Sequence, residues 1–210
     1  MPKNVDHIVI VDDNPILLSV LREIFADYSC SVRTASDGLE ALAEIRKQAP
    51  DILLSDLNMP RMSGFELLSI VRLRYPTIKV IAMSASYSGE MVPCGVAADA
   101  FYEKGASSVA RLLQIVNGLK DETTLRAQRV STPIWIPKAM VDPLDKSEVL
   151  FSCPECLRAQ PCFTNETGGL QHRECPFCRC RIQLAIAPSE VEMEERSGTG
   201  TVSGRCLSSQ

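Results

Sequence analysis

The chain has 210 residues, of which 45% are hydrophobic and 23% are charged, with 11 glycines and 13 prolines. This composition is typical of a globular protein and excludes the disordered, collagenous and fibrous classes. The formal net charge of −4 is too small to indicate a strongly basic or acidic partner.

Over residues 1–120, short apolar runs alternate with amphipathic helical patterns. The runs predict five strands, at His7–Val11, 30–34, 51–55, 78–83 and Ala100–Glu103. Apolar residues at helical spacing follow them, in four stripes that begin at Ile16, Leu39, Phe65 and Val109 and include Val20 in the first. Strands that alternate with helices predict a doubly wound α/β domain with a five-stranded parallel sheet, whose site lies at the carboxyl ends of the strands.

The remaining residues divide into three segments. Residues 121–149 lack this periodicity and contain three prolines, which predicts a linker with one short strand at 134–136. Trp135, the only tryptophan, lies in that strand and is interpreted as an anchor that docks one domain on the other. Residues 150–187 hold six of the nine cysteines, and residues 188–210, rich in Glu, Ser, Gly and Thr, are predicted to form a disordered tail.

The sequence also bears on the location of the protein. No apolar run approaches the ~18 residues that a membrane-spanning helix needs. The amino terminus turns acidic where a signal peptide would be apolar. We therefore expect a cytoplasmic protein without membrane insertion. Because disulfides are rare in that reducing compartment, clustered thiols are candidates for metal binding.

Three carboxylates follow two of the predicted strands. Asp12 and Asp13 come directly after the first strand, and Asp56 follows the third. Parallel strands end at the same edge of a sheet, so we expect these side chains to converge. Close carboxylates repel one another unless a proton or a hard cation neutralises them, and Mg²⁺ is the commonest such cation in the cytoplasm.

Ser84 and Lys104 follow the fourth and fifth strands and reach the same edge. A hydroxyl and an ammonium placed there can contact the oxygens of a phosphoryl group, where phosphoryl transfer needs stabilising charge. Polar residues are common at strand ends, so that alternative stays open for any one of these positions. Five such residues in register favour a site for phosphoryl transfer.

Four short motifs resemble those of a known family: VDD at 11–13, SDLNMPRMSG at 55–64, MSA at 83–85 and FYEKG at 101–105. With them, about residues 1–120 resemble the flavodoxin-like receiver domain of two-component response regulators. The resemblance implies a phosphoprotein in phosphorelay signal transduction, phosphorylated on Asp56 by a sensor histidine kinase or a phosphotransfer protein. It also implies that the domain catalyses only its own phosphoryl transfer and dephosphorylation and is not otherwise an enzyme.

The same resemblance implies roles for individual residues. Asp13 and Asp56 would ligate Mg²⁺, Asp12 would hold a water on the metal, and the backbone carbonyl of Asn58 would complete the protein ligands. Asp56 would be the nucleophile. The residues that would contact the phosphoryl group are Ser84 and Lys104.

Three further features bear on the resemblance. Phe101 matches the aromatic position that rotates on activation. Gly105 follows the lysine where many receiver domains have proline, and some subfamilies also have glycine. The segment between the fourth and fifth strands is short and contains Pro93 and Gly95, which disfavour a regular helix there.

Two CxxC pairs, Cys153-Pro-Glu-Cys156 and Cys175-Pro-Phe-Cys178, are separated by 18 residues. This spacing is typical of four cysteines that bind one zinc ion. Four thiolates complete a tetrahedral Zn²⁺ site, leave no position for a catalytic water and stabilise a module too small for an adequate core. Residues 150–187 therefore resemble a zinc ribbon, with a structural metal.

The other thiols and one histidine have simpler interpretations. Cys162 and Cys180 lie close enough to the pairs to replace a ligand, although their spacing fits neither pair. His172 is interpreted as an exposed hairpin residue, because as a ligand it would compete with a complete set. The remaining cysteines are Cys30 and Cys94, interpreted as buried apolar residues, and Cys206, interpreted as a free thiol in the tail.

We weigh three functions. The favoured one is a phosphorylation-switched response regulator whose zinc ribbon contacts an output protein. The alternative is a transcription or RNA-directed regulator whose ribbon binds nucleic acid, and the third is a scaffold that never turns over phosphate. Residues 151–187 carry 4 Lys/Arg against 3 Asp/Glu. Zinc with four thiolates adds a charge of about −2, so nucleic acid is not favoured. The five-residue site disfavours the scaffold.

Overall fold

The computed structural model describes residues 6–28, 30–87, 92–93, 96–121, 133–137, 148–163 and 170–187. Its first five strands are β1 (His7–Val11), β2 (Ser31–Ala35), β3 (Ile52–Asp56), β4 (Lys79–Ser84) and β5 (Ala100–Glu103). They form a parallel sheet in the order β2-β1-β3-β4-β5. This arrangement confirms the predicted doubly wound α/β fold, and each strand begins and ends within one residue of its prediction.

In the described part of the chain, the helices that cover this sheet are α1 (Pro15–Asp27), α2 (Gly38–Lys47), α3 (Gly64–Arg74) and α4 (Val109–Asp121). A polar side chain caps the N-terminus of three of these helices. The Asn14 side chain accepts hydrogen bonds from the first amides of α1, and Asp37 and Ser63 cap α2 and α3. None of the helices in the described residues is long and apolar enough to cross a membrane.

Several residues of the predicted helical stripes are exposed. Ile16 is 74% exposed, and Val20, Leu39 and Val109 are exposed as well, whereas Phe25 in the same stripe as Ile16 is fully buried. The face that a helix turns toward a sheet spans about 100°, so residues at the margin of an apolar stripe reach solvent. The patterns therefore predicted the helices correctly, although these four members of the stripes are exposed.

The described part of the segment between β4 and β5 agrees with the prediction that a regular helix is disfavoured there. Its described residues, 85–87, 92–93 and 96–99, contain no helix. Pro93 is among them, while Cys94 and Gly95 lie outside the described residues. In the described residues, α2 and α3 are therefore the two helices that cover their face of the sheet, and no third helix lies beside them.

Among the residues that the structure describes after α4, five segments form strands: β6 (Ile134–Pro137), β7 (Glu148–Ser152), β8 (Ala159–Phe163), β9 (Gln171–Glu174) and β10 (Arg181–Ala187). One sheet has the order β6-β10-β9, with β6 parallel and β9 antiparallel to β10, and β7 pairs with β8 in a second. β6 agrees with the short strand predicted at 134–136 inside the segment 121–149, and it pairs with the last strand of the predicted ribbon. The predicted tail, 188–210, lies outside the described residues.

Helix α3 lies between the first sheet and this second part of the chain. Residues 64–72 are all buried. The Trp135 amide donates a hydrogen bond to Ser69 Oγ at 3.3 Å. The side chains of Trp135 and Leu157 pack against the apolar cluster that α2 and α3 form with the sheet. The position of Trp135 agrees with its interpretation as an anchor between the two parts.

Candidate functional site

The predicted carboxylates converge at the carboxyl edge of the first sheet. β1 and β3 are neighbours, with Val11 opposite Ser55, so Asp12 and Asp56 lie side by side. Carboxylate oxygens of Asp12, Asp13 and Asp56 all lie within 4.8 Å of one another. Asp12 and Asp56 are buried and Asp13 is exposed. Oxygen atoms grouped in this way fit a hard divalent cation such as Mg²⁺.

Lys104 bridges two of these carboxylates. Its Nζ lies 3.0 Å from Asp12 Oδ2 and 3.0 Å from Asp56 Oδ1. Burial raises the pKa of Asp56, and the nearby Lys104 ammonium opposes that rise. Burial acts to lower the pKa of Lys104, but the Asp56 and Asp12 carboxylates outweigh it and the pKa is raised. The lysine therefore stays positively charged near neutral pH, beside the candidate nucleophile.

Ser84 and Asn58 lie around the same edge. Ser84 is fully buried at the end of β4, and its carbonyl accepts a hydrogen bond from the Lys104 amide at 2.7 Å. The Ser84 hydroxyl accepts one from the Ser86 amide at 3.1 Å. The exposed Asn58 side chain donates to the Ser86 hydroxyl at 3.3 Å. Phe101 is buried in the apolar cluster that α2 and α3 form with the sheet. Its role in activation stays a prediction. The role of the Asn58 backbone carbonyl as a metal ligand also stays a prediction.

Two glycines shape the backbone of the site. A Cβ on Gly64 would lie 2.0 Å from the carbonyl oxygen of Asp56 and 2.7 Å from Leu57 Cα. The Gly64 amide donates to the Leu57 carbonyl at 2.9 Å, so α3 begins in direct contact with the candidate nucleophile's backbone. Gly105 has a φ of +85°, a conformation that residues with a side chain rarely adopt. Sequence reasoning gave Gly64 no role, although it ends the motif around Asp56.

Four thiols converge in the second part of the chain. The Sγ atoms of Cys153, Cys156, Cys175 and Cys178 all lie within 4.8 Å of one another. Cys153 and Cys178 are 3.6 Å apart, and Cys156 and Cys175 are 3.7 Å apart. Thiolates that bind one tetrahedral zinc at about 2.3 Å lie about 3.8 Å from each other. The fold therefore brings the predicted ligand set together at a spacing that is compatible with a single zinc ion.

The two CxxC turns share one backbone geometry. The Leu157 amide donates to the Cys153 carbonyl, and the Arg179 amide donates to the Cys175 carbonyl, both at 2.9 Å. Leu157 and Arg179 have left-handed φ angles of 58° and 60°. Burial acts to raise the pKa of Cys175, but amides of its own turn and the neighbouring thiols outweigh it and lower the pKa to about 6. Burial raises the pKa of the Cys153 thiol, and the amides of its turn only partly oppose that rise. Amide hydrogens directed at sulfur favour the thiolate form that metal binding requires.

The other predicted cysteines and the histidine lie around or away from this cluster. Cys180 Sγ lies 3.3 Å from Cys153 Sγ, although Cys180 is outside the group of four. Cys162 is buried, with its thiol 3.9 Å from Gln171 Oε1. His172 is exposed, in agreement with its interpretation, and its Nε2 lies 3.4 Å from the Gln183 amide nitrogen. Among the rest, Cys30 is buried, as expected, while Cys94 and Cys206 lie outside the described residues.

The parallel sheet and the acidic cluster at its carboxyl edge define a flavodoxin-like α/β domain with a candidate site for a hard cation. Residues 8–104 match the family described as "Response regulator receiver domain", so this segment is a receiver domain. The resemblance seen in the sequence is thus confirmed for this segment. The match ends well before the four thiols, and the zinc ribbon stays a prediction that rests on the cysteine cluster.

Known proteins similar to this chain share the receiver segment. The sensor histidine kinase RcsC of Salmonella typhi is 32% identical over 124 residues, which are 59% of this chain and 12% of that protein. The protein-glutamate methylesterase/protein-glutamine glutaminase 3 of Vibrio cholerae is 24% identical over 151 residues, which are 68% of this chain and 42% of that protein. The chain therefore spans less than half the length of these relatives.

A solved structure shares the fold of the same segment. The response regulator protein TrrA of Thermotoga maritima, in complex with Mg²⁺ and BeF, is 28% identical, with a TM-score of 0.51. The similarity covers 55% of this chain and 99% of TrrA. Because a methylesterase is among the similar proteins, the prediction that this chain is not an enzyme stays a prediction.

Proposed function

We propose that the chain is a two-component response regulator whose Asp56 accepts a phosphoryl group from a sensor histidine kinase or a phosphotransfer protein. The observation that carries this proposal is the contact of Lys104 Nζ with Asp12 and Asp56, at 3.0 Å each, beside the exposed Asp13. A fixed ammonium and a set of cation ligands around one carboxylate are the groups that phosphoryl transfer to that carboxylate needs.

In the proposed transfer, a carboxylate oxygen of Asp56 attacks the phosphorus of a phosphohistidine. An O–P bond forms, the P–N bond breaks, and the imidazole nitrogen keeps the electron pair of that bond and takes up a proton. The Leu57 amide and Lys104 both hold Asp56 Oδ1, at 2.9 and 3.0 Å, which leaves Oδ2 as the attacking atom. Lys104 and the Ser84 hydroxyl then contact the transferred phosphoryl oxygens.

The acidic cluster fits the cation that the resemblance implies. Asp13, Asp56 and the Asn58 carbonyl would hold Mg²⁺, with Asp12 holding a water on it, and the cation supplies positive charge to the phosphoryl oxygens. Asp13 is the exposed member of the cluster. It is therefore accessible to a phosphoryl donor that arrives from solvent.

The phosphoacceptor is tested by intact-mass measurement after treatment with acetyl phosphate and Mg²⁺. We expect the addition of one phosphoryl group to the wild-type chain and to Asp27→Asn, a control on the exposed end of α1. Asp56→Asn and metal chelation should each prevent the addition. Equal modification of Asp56→Asn, or modification that is indifferent to chelation, would contradict the assignment.

We further propose that the ribbon binds one structural Zn²⁺ and supplies the output surface, for contact with another protein. Its exposed surface includes Phe177, which is 51% exposed and has the Arg158 guanidinium 5.0 Å from its ring centroid. A large aromatic beside an arginine is a common composition for the centre of a protein interface. Thiols that stay reduced favour a cytoplasmic location. The proposed kinase and the proposed output protein are consistent with that location.

Nucleic acid is the second candidate partner of the ribbon. Arg158, Arg179 and Arg181 are exposed and supply the positive charge that phosphate binding requires. The two candidates differ in salt dependence. Binding of a mixed-sequence RNA or DNA that weakens steeply between low and physiological salt would replace the protein partner with nucleic acid, whereas absence of such binding supports protein contact.

A further inference from the structure

Glu66 is a buried carboxyl group that ties the ribbon to the receiver domain. It is 6% exposed, and its Oε1 accepts a hydrogen bond from the Ser152 amide at 2.5 Å. Ser152 is the last residue of β7 and directly precedes Cys153, one of the four clustered thiols. One hydrogen bond and one peptide unit therefore separate α3 from the thiol site.

Two more contacts hold the ribbon on the same helix. Ser69 lies one turn after Glu66 and accepts the hydrogen bond from the Trp135 amide. Leu157, the left-handed residue of the first CxxC turn, packs against the receiver's apolar cluster. Because the CxxC turn and the end of β7 take part in docking, a ribbon without its metal loses the backbone arrangement that docking requires.

The other end of this connection is the candidate phosphoacceptor. Gly64 begins α3 and lies against the backbone of Asp56 and Leu57, where no Cβ would fit. Glu66 follows two residues later in the same helical turn. A displacement of the Asp56–Leu57 backbone must therefore move the first turn of α3, and with it the acceptor of the Ser152 hydrogen bond.

We propose that the thiol site and the Asp56 site are energetically linked through α3, so that a zinc-loaded, docked ribbon opposes modification of Asp56. The proposal rests on the proposed function, in which Asp56 is the phosphoacceptor. Its sign follows from the position that docking fixes: Ser152 holds the first turn of α3 against the Asp56–Leu57 backbone, so a displacement of that backbone on modification costs the docking contact. Linkage between two binding sites is reciprocal, so modification of Asp56 weakens zinc binding by the same factor.

The first test measures the affinity of the full-length, zinc-loaded chain for beryllofluoride with Mg²⁺, a phosphoryl analogue, by calorimetry. Glu66→Ala should bind the analogue about five-fold more tightly than the wild type, a typical size for such coupling. Glu66→Gln should stay near the wild type, because its side-chain carbonyl still accepts from Ser152. Glu23→Ala, an exposed glutamate on α1 at the opposite face of the sheet, is the matched control.

The second test needs no substitution and covers the case in which Glu66→Ala does not fold. Competition with a zinc-selective chromophoric chelator gives the zinc affinity with and without beryllofluoride and Mg²⁺. We expect zinc to bind about five-fold more weakly with the analogue. Equal zinc affinities, or equal analogue affinities of Glu66→Ala and Glu23→Ala, would overturn the linkage. Absence of analogue binding in every variant would overturn the proposed function, and the linkage with it.

Discussion

At the scale of single residues, Glu66 shows how a docking contact changes the chemistry of a side chain. Burial raises its pKa from the ordinary 4.5 to about 7, and the hydrogen bonds from Ser152 only partly oppose this rise. Nothing in the sequence pattern distinguishes Glu66 from a solvent-facing helical glutamate in the first turn. Its environment comes from Ser152, which lies 86 residues away in the chain.

The raised pKa predicts a pH dependence of stability. Between about pH 4.5 and pH 7 the folded chain keeps a proton on Glu66 that the unfolded chain has lost, so this residue makes stability fall as pH rises through that window. Glu66→Gln should remove this fall in stability. The difference in unfolding free energy between the variant and the wild type should therefore favour the variant more at pH 8 than at pH 4.5. Urea unfolding at both pH values measures this difference, with the exposed Glu23→Gln as control. A wild-type pH slope retained in Glu66→Gln would contradict it.

The four thiols also give a residue-level prediction. Elemental analysis should find about one zinc per chain, because four thiolates complete the tetrahedral coordination of one zinc ion. Cys153→Ser and Cys175→Ser should both lose most of it. Cys162→Ser is the matched control, because Cys162 is buried in the same ribbon but lies outside the cluster. If Cys162→Ser loses as much zinc as these two variants, the ligands were assigned wrongly. If Cys153→Ser keeps its zinc, Cys180 replaces Cys153 as a ligand.

At the scale of elements, the start of α3 depends on one glycine. In Gly64→Ala the added methyl would overlap the Asp56 carbonyl, and the obstacle is backbone that cannot move aside cheaply. We expect a loss of several kcal/mol in unfolding free energy, comparable to overpacking of a core. Gly118→Ala in α4 is the control: its Cβ would meet nothing within 4 Å. It should be neutral or stabilising by about 0.5 to 1 kcal/mol. Similar unfolding midpoints for the two variants would refute this reading of α3.

Elements formed by local interactions were predictable, and the outer face of α3 was not. The strands and the CxxC turns follow from residues that are neighbours in sequence, so patterns and spacing locate them. The stripe that begins at Phe65 predicted only the face of α3 toward the sheet. Its other face is buried because Ser69 contacts Trp135 and Arg72 pairs with Asp99 at 2.9 Å. Those partners are distant in sequence, and no helical periodicity identifies them.

At the scale of the whole molecule, Trp135 reports on the contact between the two parts. If phosphorylation controls output, it must change the docking equilibrium, since a modification acts through its different free energy in the two states. Addition of beryllofluoride with Mg²⁺ should therefore change the fluorescence of this single tryptophan or its amide's protection from hydrogen exchange. The change should vanish in Asp56→Asn. An unchanged Trp135 in a chain shown by mass to be modified would place the output surface on the receiver itself.

The order of strands in the second sheet has a consequence for synthesis of the chain. β10 is the central strand of β6-β10-β9 and the last strand described, so the strand that pairs with β6 in the described residues is absent until residues 181–187 leave the ribosome. The receiver segment can fold once residue 121 has emerged, because its five strands need nothing beyond it. During that interval the face of α3 with Glu66 and Ser69 is uncovered. A nascent chain is therefore most exposed to misassociation between these two events, and slow translation of the thiol segment would lengthen that exposure.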